Sequence, residues 1–142
     1  MGLSATRWLI DKSALWRLGK PEVADVVEPA IIAGLVGVSV VTELEVGFSA
    51  RSTADYRLMR ATVMDRLIPV AFPYRAESRA REVQAALVER GEHRSAGVAD
   101  VLLAATAELE GLTVWHYDSD FDLIAVVTGQ EMEWVVPRGT VD

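Results

Sequence analysis

Val98-Ala99-Asp100-Val101-Leu102-Leu103-Ala104-Ala105-Thr106-Ala107 is the stretch whose reading decides the fold. It is apolar nearly all round, which marks a helix covered on every side rather than one lying on a surface. Gly111 closes it, and Leu112-Thr113-Val114-Trp115-His116-Tyr117 follows as a β-type run that leads into Asp118-Ser119-Asp120-Phe121-Asp122. A buried helix feeding a strand is half of a βαβ unit, and the rest of the chain keeps that rhythm. Trp8-Leu9-Ile10 is a short β-type run ending at Asp11, with Ser13-Ala14-Leu15-Trp16 as a helix start. A helical pattern begins at Pro21, and Pro29 is expected to break or kink it. Gly37-Val38-Ser39-Val40-Val41 is a second β-type run, and Thr42 is the expected N-cap of a helix carrying Glu43. Further on, Tyr56, Met59 and Val63 share one helical face, and Ala76, Ala80, Val83 and Leu87 share another that stops at Gly91. Between these helices Leu67-Ile68-Pro69-Val70 fits a short edge strand, where proline is tolerated, and residues 132–136 form a last β run. Strands alternating with helices predict an α/β sandwich with a mainly parallel sheet.

The chain has 142 residues, 51% hydrophobic and 25% charged, which suits one compact domain over residues 1–142. No repeat, low-complexity tract or Ser/Gly linker divides it. No apolar run reaches the roughly 18 residues needed to cross a bilayer, and Met1 to Arg7 lacks the pattern of a secretory signal. A soluble cytoplasmic protein is therefore expected. The absence of cysteine excludes disulfide frameworks, zinc knuckles and thiol nucleophiles. A net charge of −7 argues against a generic binder of phosphate backbones. The charge is uneven, however. Residues 51–94 carry nine Arg against six acids, net +3, while the remainder carries five basic residues against fifteen acids, net −10. The two helices of the basic segment read as a surface arm with arginines on its outer face.

Four acids stand where a solvated surface does not account for them. Asp11 and Asp118 end strands, and in an open parallel sheet ligands bind at the carboxyl ends of strands. Glu43 falls in the first turn after a third strand, and Asp100 interrupts the most apolar helix, where an unpaired carboxylate is costly. Taken singly, Asp11 and Asp118 read equally well as helix caps, Glu43 as a complement to a helix dipole, and Asp100 as a partner for Arg94. Taken together, four acids at one sheet edge repel unless a cation lies among them. Carboxylates without His or Cys select hard cations, here Mg²⁺ or Mn²⁺. Asp120 is expected to extend the cluster, whereas Asp122 is solvated or capping and Glu45 points elsewhere on its helix as a structural residue. Ser13 can hydrogen-bond a carboxylate or a metal-bound water, or cap its own helix. His116 reads as a packed strand residue, and His93 lies on a loop beside Arg94. No catalytic triad motif or glycine-rich phosphate loop is present.

These residues resemble the motifs of the PIN-domain family, in its VapC-type toxin branch. Leu9-Ile10-Asp11-Lys12-Ser13-Ala14 is similar to the family's opening motif and Val41-Thr42-Glu43-Leu44-Glu45-Val46-Gly47 to its second, with Glu43 four residues before the glycine. The helix around Asp100 is similar to the third, and His116-Tyr117-Asp118-Ser119-Asp120-Phe121-Asp122 with Ile124-Ala125 to the fourth. The resemblance implies a PIN-like three-layer α/β/α sandwich and a Mg²⁺- or Mn²⁺-dependent endoribonuclease toxin of a type II toxin–antitoxin system. It implies a catalytic set of Asp11, Glu43, Asp100, Asp118 and Asp120, with Asp11, Asp100 and Asp118 as metal ligands and Lys12, Ser13 and Arg94 toward the RNA substrate. A cognate VapB-type antitoxin, a homodimer and no membrane association complete it. Lys12 departs from the pattern, since the family most often has Thr there. A degenerate, non-catalytic interaction domain and a phosphoacceptor receiver domain are the other readings. The receiver would want an acidic pair after its first strand, where this chain has Asp11 followed by Lys12.

Overall fold

The computed structural model describes residues 5–142, so residues 1–4 of the expected non-signal N-terminus lie outside it. The elements, in order, are β1 (Trp8–Ile10), α1 (Lys12–Leu15), α2 (Pro21–Ile32), β2 (Val36–Ser39), α3 (Val40–Phe48), α4 (Thr53–Thr62), a 3₁₀ turn (Met64–Arg66), β3 (Ile68–Val70), α5 (Ala76–Glu89), α6 (Val98–Glu110), β4 (Thr113–His116), α7 (Asp120–Thr128) and β5 (Met132–Trp134). The five strands form one sheet in the order β3-β2-β1-β4-β5, and every pairing is parallel. Chain order reverses between β1 and β4. In such sheets the crevice at the carboxyl ends of the two strands flanking the reversal is the place a ligand reaches. A receiver domain has the order 2-1-3-4-5, so this topology excludes that reading.

Side chains alternate across the strands and divide the core in two. Ile10, Val36, Val38 and Trp115 pack on one face with Val23, Val27 and Ile31 of α2 and Val46 of α3. Leu9 and Val114 pack on the other with Val83 and Leu87 of α5, Leu103 and Ala104 of α6, and Phe121 and Ile124 of α7. The three-layer sandwich expected from the sequence is therefore the observed one. Gly37 sits in β2 because nothing larger fits: a Cβ there would lie 2.6 Å from a Val70 methyl. Gly111 ends α6 with φ of 69°, a left-handed turn that side chains disfavour.

Three local expectations are corrected. α2 runs unbroken through Pro29, because that residue and Asp25, whose carbonyl loses its helical donor, are exposed while Val23, Val27, Ala30 and Ile31 anchor the buried face. Strand β2 stops at Ser39, and Val40 and Val41 begin α3 despite their β-branched side chains. Ser39, not Thr42, is the N-cap, its hydroxyl accepting from the Val41 N–H at 3.1 Å. The basic arm is also less free than its composition implies. Arg60 pairs with Glu43 and Asp65, Arg66 with Glu28, Arg79 with Glu82 and Glu108, Arg90 with Glu92 and Arg51 with Asp55. Arg57, Arg75, Arg81 and Arg94 remain exposed without an ion pair among the described residues.

Candidate active site

The two strands flanking the topological reversal are tied together at their carboxyl ends. The Asp11 N–H donates to the Trp115 carbonyl at 2.9 Å, and the Tyr117 N–H donates to the Ser13 hydroxyl at 2.8 Å. Asp11 is the N-cap of α1, its Oδ2 accepting from the Ser13 N–H at 2.9 Å. Only 2% of Asp11 is exposed, and burial raises its pKa above the usual carboxylate value against the lowering effect of Ser13's hydrogen bonds. Ser13 therefore works inside the protein, holding Asp11 and the β4 turn in one frame.

Beyond β4, the Asp118 N–H donates to His116 Nδ1 at 3.1 Å, and Asp118 Oδ1 accepts from the Asp120 N–H at 2.9 Å in the turn that leads into α7. His116 is fully buried beside Phe121 and Trp134. Burial lowers its pKa to about 4, so at neutral pH it is an uncharged acceptor that orients the Asp118 turn. Asp100 is the third residue of α6, with its Oδ2 accepting from the Gly97 N–H at 3.1 Å, and is 9% exposed. One oxygen from each of Asp100, Asp118 and Asp120 lies within 4.8 Å of the others. Burial first, then the charges of Asp11, Asp118 and Glu45, raise the Asp100 pKa to about 7. Burial and Asp118 also raise that of Asp120. Among the described residues no Lys or Arg forms an ion pair with any of these three acids, so the expected alternative partner Arg94 does not neutralise Asp100. Three convergent, part-desolvated carboxylate oxygens fit a hard divalent cation by the chemistry of the donor set.

The third segment of the cluster corrects the sequence reading. Glu43 turns away and accepts from Arg60 Nη1 at 2.7 Å, whereas Glu45, expected to be structural, accepts from Lys12 Nζ at 2.8 Å. The charge of Glu45 acts on both Asp11 and Asp100. The cause is the earlier start of α3. Thr42 and Val46 become its buried residues, and Glu45, three residues after Thr42, takes the side that faces α1. The Thr42-x-x-Glu45 spacing was the available signal, masked by placing the cap at Thr42. Asp122 stands outside the cluster, accepting from the Trp134 indole at 3.2 Å. His93 and Arg94 are exposed on the loop between α5 and α6.

A parallel sheet with acids at the β1 and β4 ends and on the first turn of a buried helix defines the class, and the PIN domain family model matches residues 8–127: the chain belongs to the PIN domain family. Its similar relatives narrow the comparison to VapC proteins. It is 44% identical over 135 residues to Ribonuclease VapC21 of Mycobacterium tuberculosis, covering 95% of this chain and 98% of that one. It is 44% identical over 140 residues to Ribonuclease VapC51 of the same organism, covering 97% and 99%. In fold it is similar to the DNA-bound VapBC of Salmonella typhimurium, with a TM-score of 0.75 at 19% identity over 92% of this chain and 99% of that one. VapBC-5 of Mycobacterium tuberculosis aligns with a TM-score of 0.60 at 23% identity, covering 92% and 97%.

Proposed function

We propose that this protein is a VapC-type endoribonuclease toxin that hydrolyses RNA phosphodiester bonds with Mg²⁺ or Mn²⁺, acting in the cytoplasm and restrained by a VapB-type antitoxin. The observation that carries the reading is the convergence of Asp100, Asp118 and Asp120 at the sheet's reversal point, with no ion pair to a Lys or Arg among the described residues. The ribonuclease relatives support the substrate class. Asp11, Asp100 and Asp118 would hold the ion, with Asp120 beside them: the charge of Asp11 acts on Asp100, and one oxygen from each of Asp100, Asp118 and Asp120 lies within 4.8 Å of the others. A bound divalent ion supplies a water of lowered pKa and neutralises charge on the phosphate.

The chain's own residues do the rest. Ser13 and His116 fix the two strand ends, so the carboxylates are set before substrate arrives. Lys12 lies at the edge of the cluster with its ammonium partly exposed, in reach of a phosphate that approaches the acids. Arg94, with Arg57, Arg75 and Arg81, offers charge for the RNA backbone away from the acidic centre.

The antitoxin reading is supported by a cleft between α3 and α4. Val40, Leu44, Phe48 and Tyr56 line it with Glu43 and Arg60, and Leu44 and Phe48 are 68% and 93% exposed. A patch of this kind suits a partner helix and self-association into a homodimer. The test of function is direct. Partner-free protein should cleave RNA with Mg²⁺ or Mn²⁺ and stop in EDTA. Cleavage indifferent to EDTA would contradict the metal chemistry. Mn²⁺ binding without cleavage of tRNA, rRNA or mRNA would favour a non-catalytic interaction domain.

A further inference from the structure

Ser13 and Tyr117 tie the ends of β1 and β4 together, and a second set of contacts ties both residues to the segment 137–142. Tyr117 is 9% exposed, and its ring lies on the sheet face that carries α1 and α2, opposite α6 and α7. A phenol has one hydrogen to donate and two lone pairs to fill. All three serve one backbone stretch: the Tyr117 hydroxyl donates to the Val141 carbonyl at 2.7 Å and accepts from the Gly139 and Val141 N–H groups at 2.9 and 3.1 Å. Arg17 closes the circuit. Its guanidinium stacks over the Tyr117 ring at 4.6 Å, its Nη1 donates to the Ser13 carbonyl at 2.8 Å, and its Nε donates to the Asp142 carbonyl at 2.9 Å. Lys20 adds an ion pair to the Asp142 carboxylate, exposed and therefore weak. The segment lies outside any helix or strand, with Val141 packed against the core. Its turn depends on Gly139, whose φ of 87° is costly to a residue with a side chain.

We propose that residues 137–142 form a strap that positions the acidic centre, with Tyr117 as the positioning residue that connects the two. Tyr117 acts through its neighbours. Its N–H is held by Ser13, which also caps onto Asp11, and the next residue is Asp118, so a strap that fixes the Tyr117 side chain fixes the backbone of both acids. A tyrosine placed for packing alone would leave the site indifferent to its hydroxyl. The inference rests on the nuclease reading above and goes beyond it by making the strap part of the frame of the site.

Two variants of the full chain loosen the strap from opposite ends. Tyr117→Phe keeps the ring between Arg17 and Trp134 and removes the hydroxyl, whereas Gly139→Ala strains the turn of the strap with a methyl that meets no neighbouring atom. Amide hydrogen exchange followed by NMR in EDTA reads the frame without activity. Each variant should speed exchange at the Tyr117 and Asp118 N–H groups about tenfold more than at the buried amides of α6, the mark of a local opening. With RNA and Mn²⁺, each should lower kcat about tenfold and leave KM within about twofold, as misplaced catalytic groups do. The double variant should lose no more than either single one, since both release the same strap. Exchange at Tyr117 and Asp118 that matches wild type, or that rises only as much as in α6, would overturn the inference, the second result marking a merely structural loss. Local opening with kcat unchanged would overturn it too, because the strap would then hold the backbone and not the site. Wild-type protein that cleaves no RNA would overturn the nuclease reading, and the exchange rates would still decide whether the strap holds the ends of β1 and β4.

Discussion

Replacing Asp100 with Asn isolates the electrostatic cost of the cluster. In the folded protein burial and three neighbouring acids raise the Asp100 pKa from 3.8 to about 7. A tenfold change in proton affinity corresponds to about 1.4 kcal/mol, so holding this carboxylate ionised in the folded protein costs roughly 4 kcal/mol. Asp100 lies at an edge that water and salt reach in part, and that screening reduces the figure to about 2 kcal/mol. The sign follows from proton linkage. A folded state that holds a proton more tightly than the unfolded chain loses stability as pH rises from about 4 to about 7 and carries the whole cost above that. Asn has no charge to repel, and its amide oxygen can keep the Gly97 N–H bond. In EDTA at pH 8, Asp100→Asn should therefore melt about 6 °C above wild type, at roughly 3 °C per kcal/mol for a chain of this size. The gain should shrink through pH 6 and vanish near pH 4. His116 titrates in the opposite sense, opposing stability as pH falls from about 6.5 toward 4, but it is present in both proteins and cancels in the difference. Calorimetric melts at three pH values suffice, and with Mn²⁺ added the wild type should rise while Asp100→Asn should not. A variant less stable than wild type by the same amount at pH 8 and pH 4 would show that Asp100 serves packing or capping, not a charged cluster.

Further outcomes separate site residues from structural ones. Glu43→Gln should lose no more than about 1 kcal/mol, because its pair with Arg60 is part-exposed, and should leave RNA cleavage close to wild type; Glu45→Gln should slow cleavage at least about tenfold, the loss expected from misplacing a charged group beside the substrate. Gly37→Ala should destabilise by about 1–3 kcal/mol in denaturant melts, since the new methyl collides with Val70. His116→Phe keeps the packing between Phe121 and Trp134 but strands the Asp118 N–H, so it should lose about 1–2 kcal/mol and weaken Mn²⁺ binding, and its stability should fall less than that of wild type between pH 6.5 and 4.

What the sequence made legible was whatever a period or a chain position encodes. The apolar run through Leu103 and Ala107 could only be a buried helix, and the strand ends at Asp11 and Asp118 followed from the short β-type runs before them. Asp100 was conspicuous as a carboxylate in apolar surroundings. Helix phase was less legible. Val40 and Val41 favour a strand locally, so the sequence places the start of α3 too late, and a shift of that start exchanges Glu43 for Glu45 at the site. The state of the arginines was not legible at all, because Arg66 with Glu28 and Arg79 with Glu108 pair across 38 and 29 residues of chain. The tolerance of α2 for Pro29 depends on which side of the helix faces water, which only packing decides.

Anomalous scattering from a Mn²⁺-saturated crystal of the full chain reads the metal position itself. A peak is predicted within about 2.0–2.3 Å of carboxylate oxygens drawn from Asp11, Asp100, Asp118 and Asp120, as usual for a small divalent ion on oxygen ligands. A crystal saturated with Mn²⁺ that shows no peak among these acids, or shows it on residues away from the carboxyl ends of β1 and β4, would contradict the assignment of this edge as the metal-dependent site.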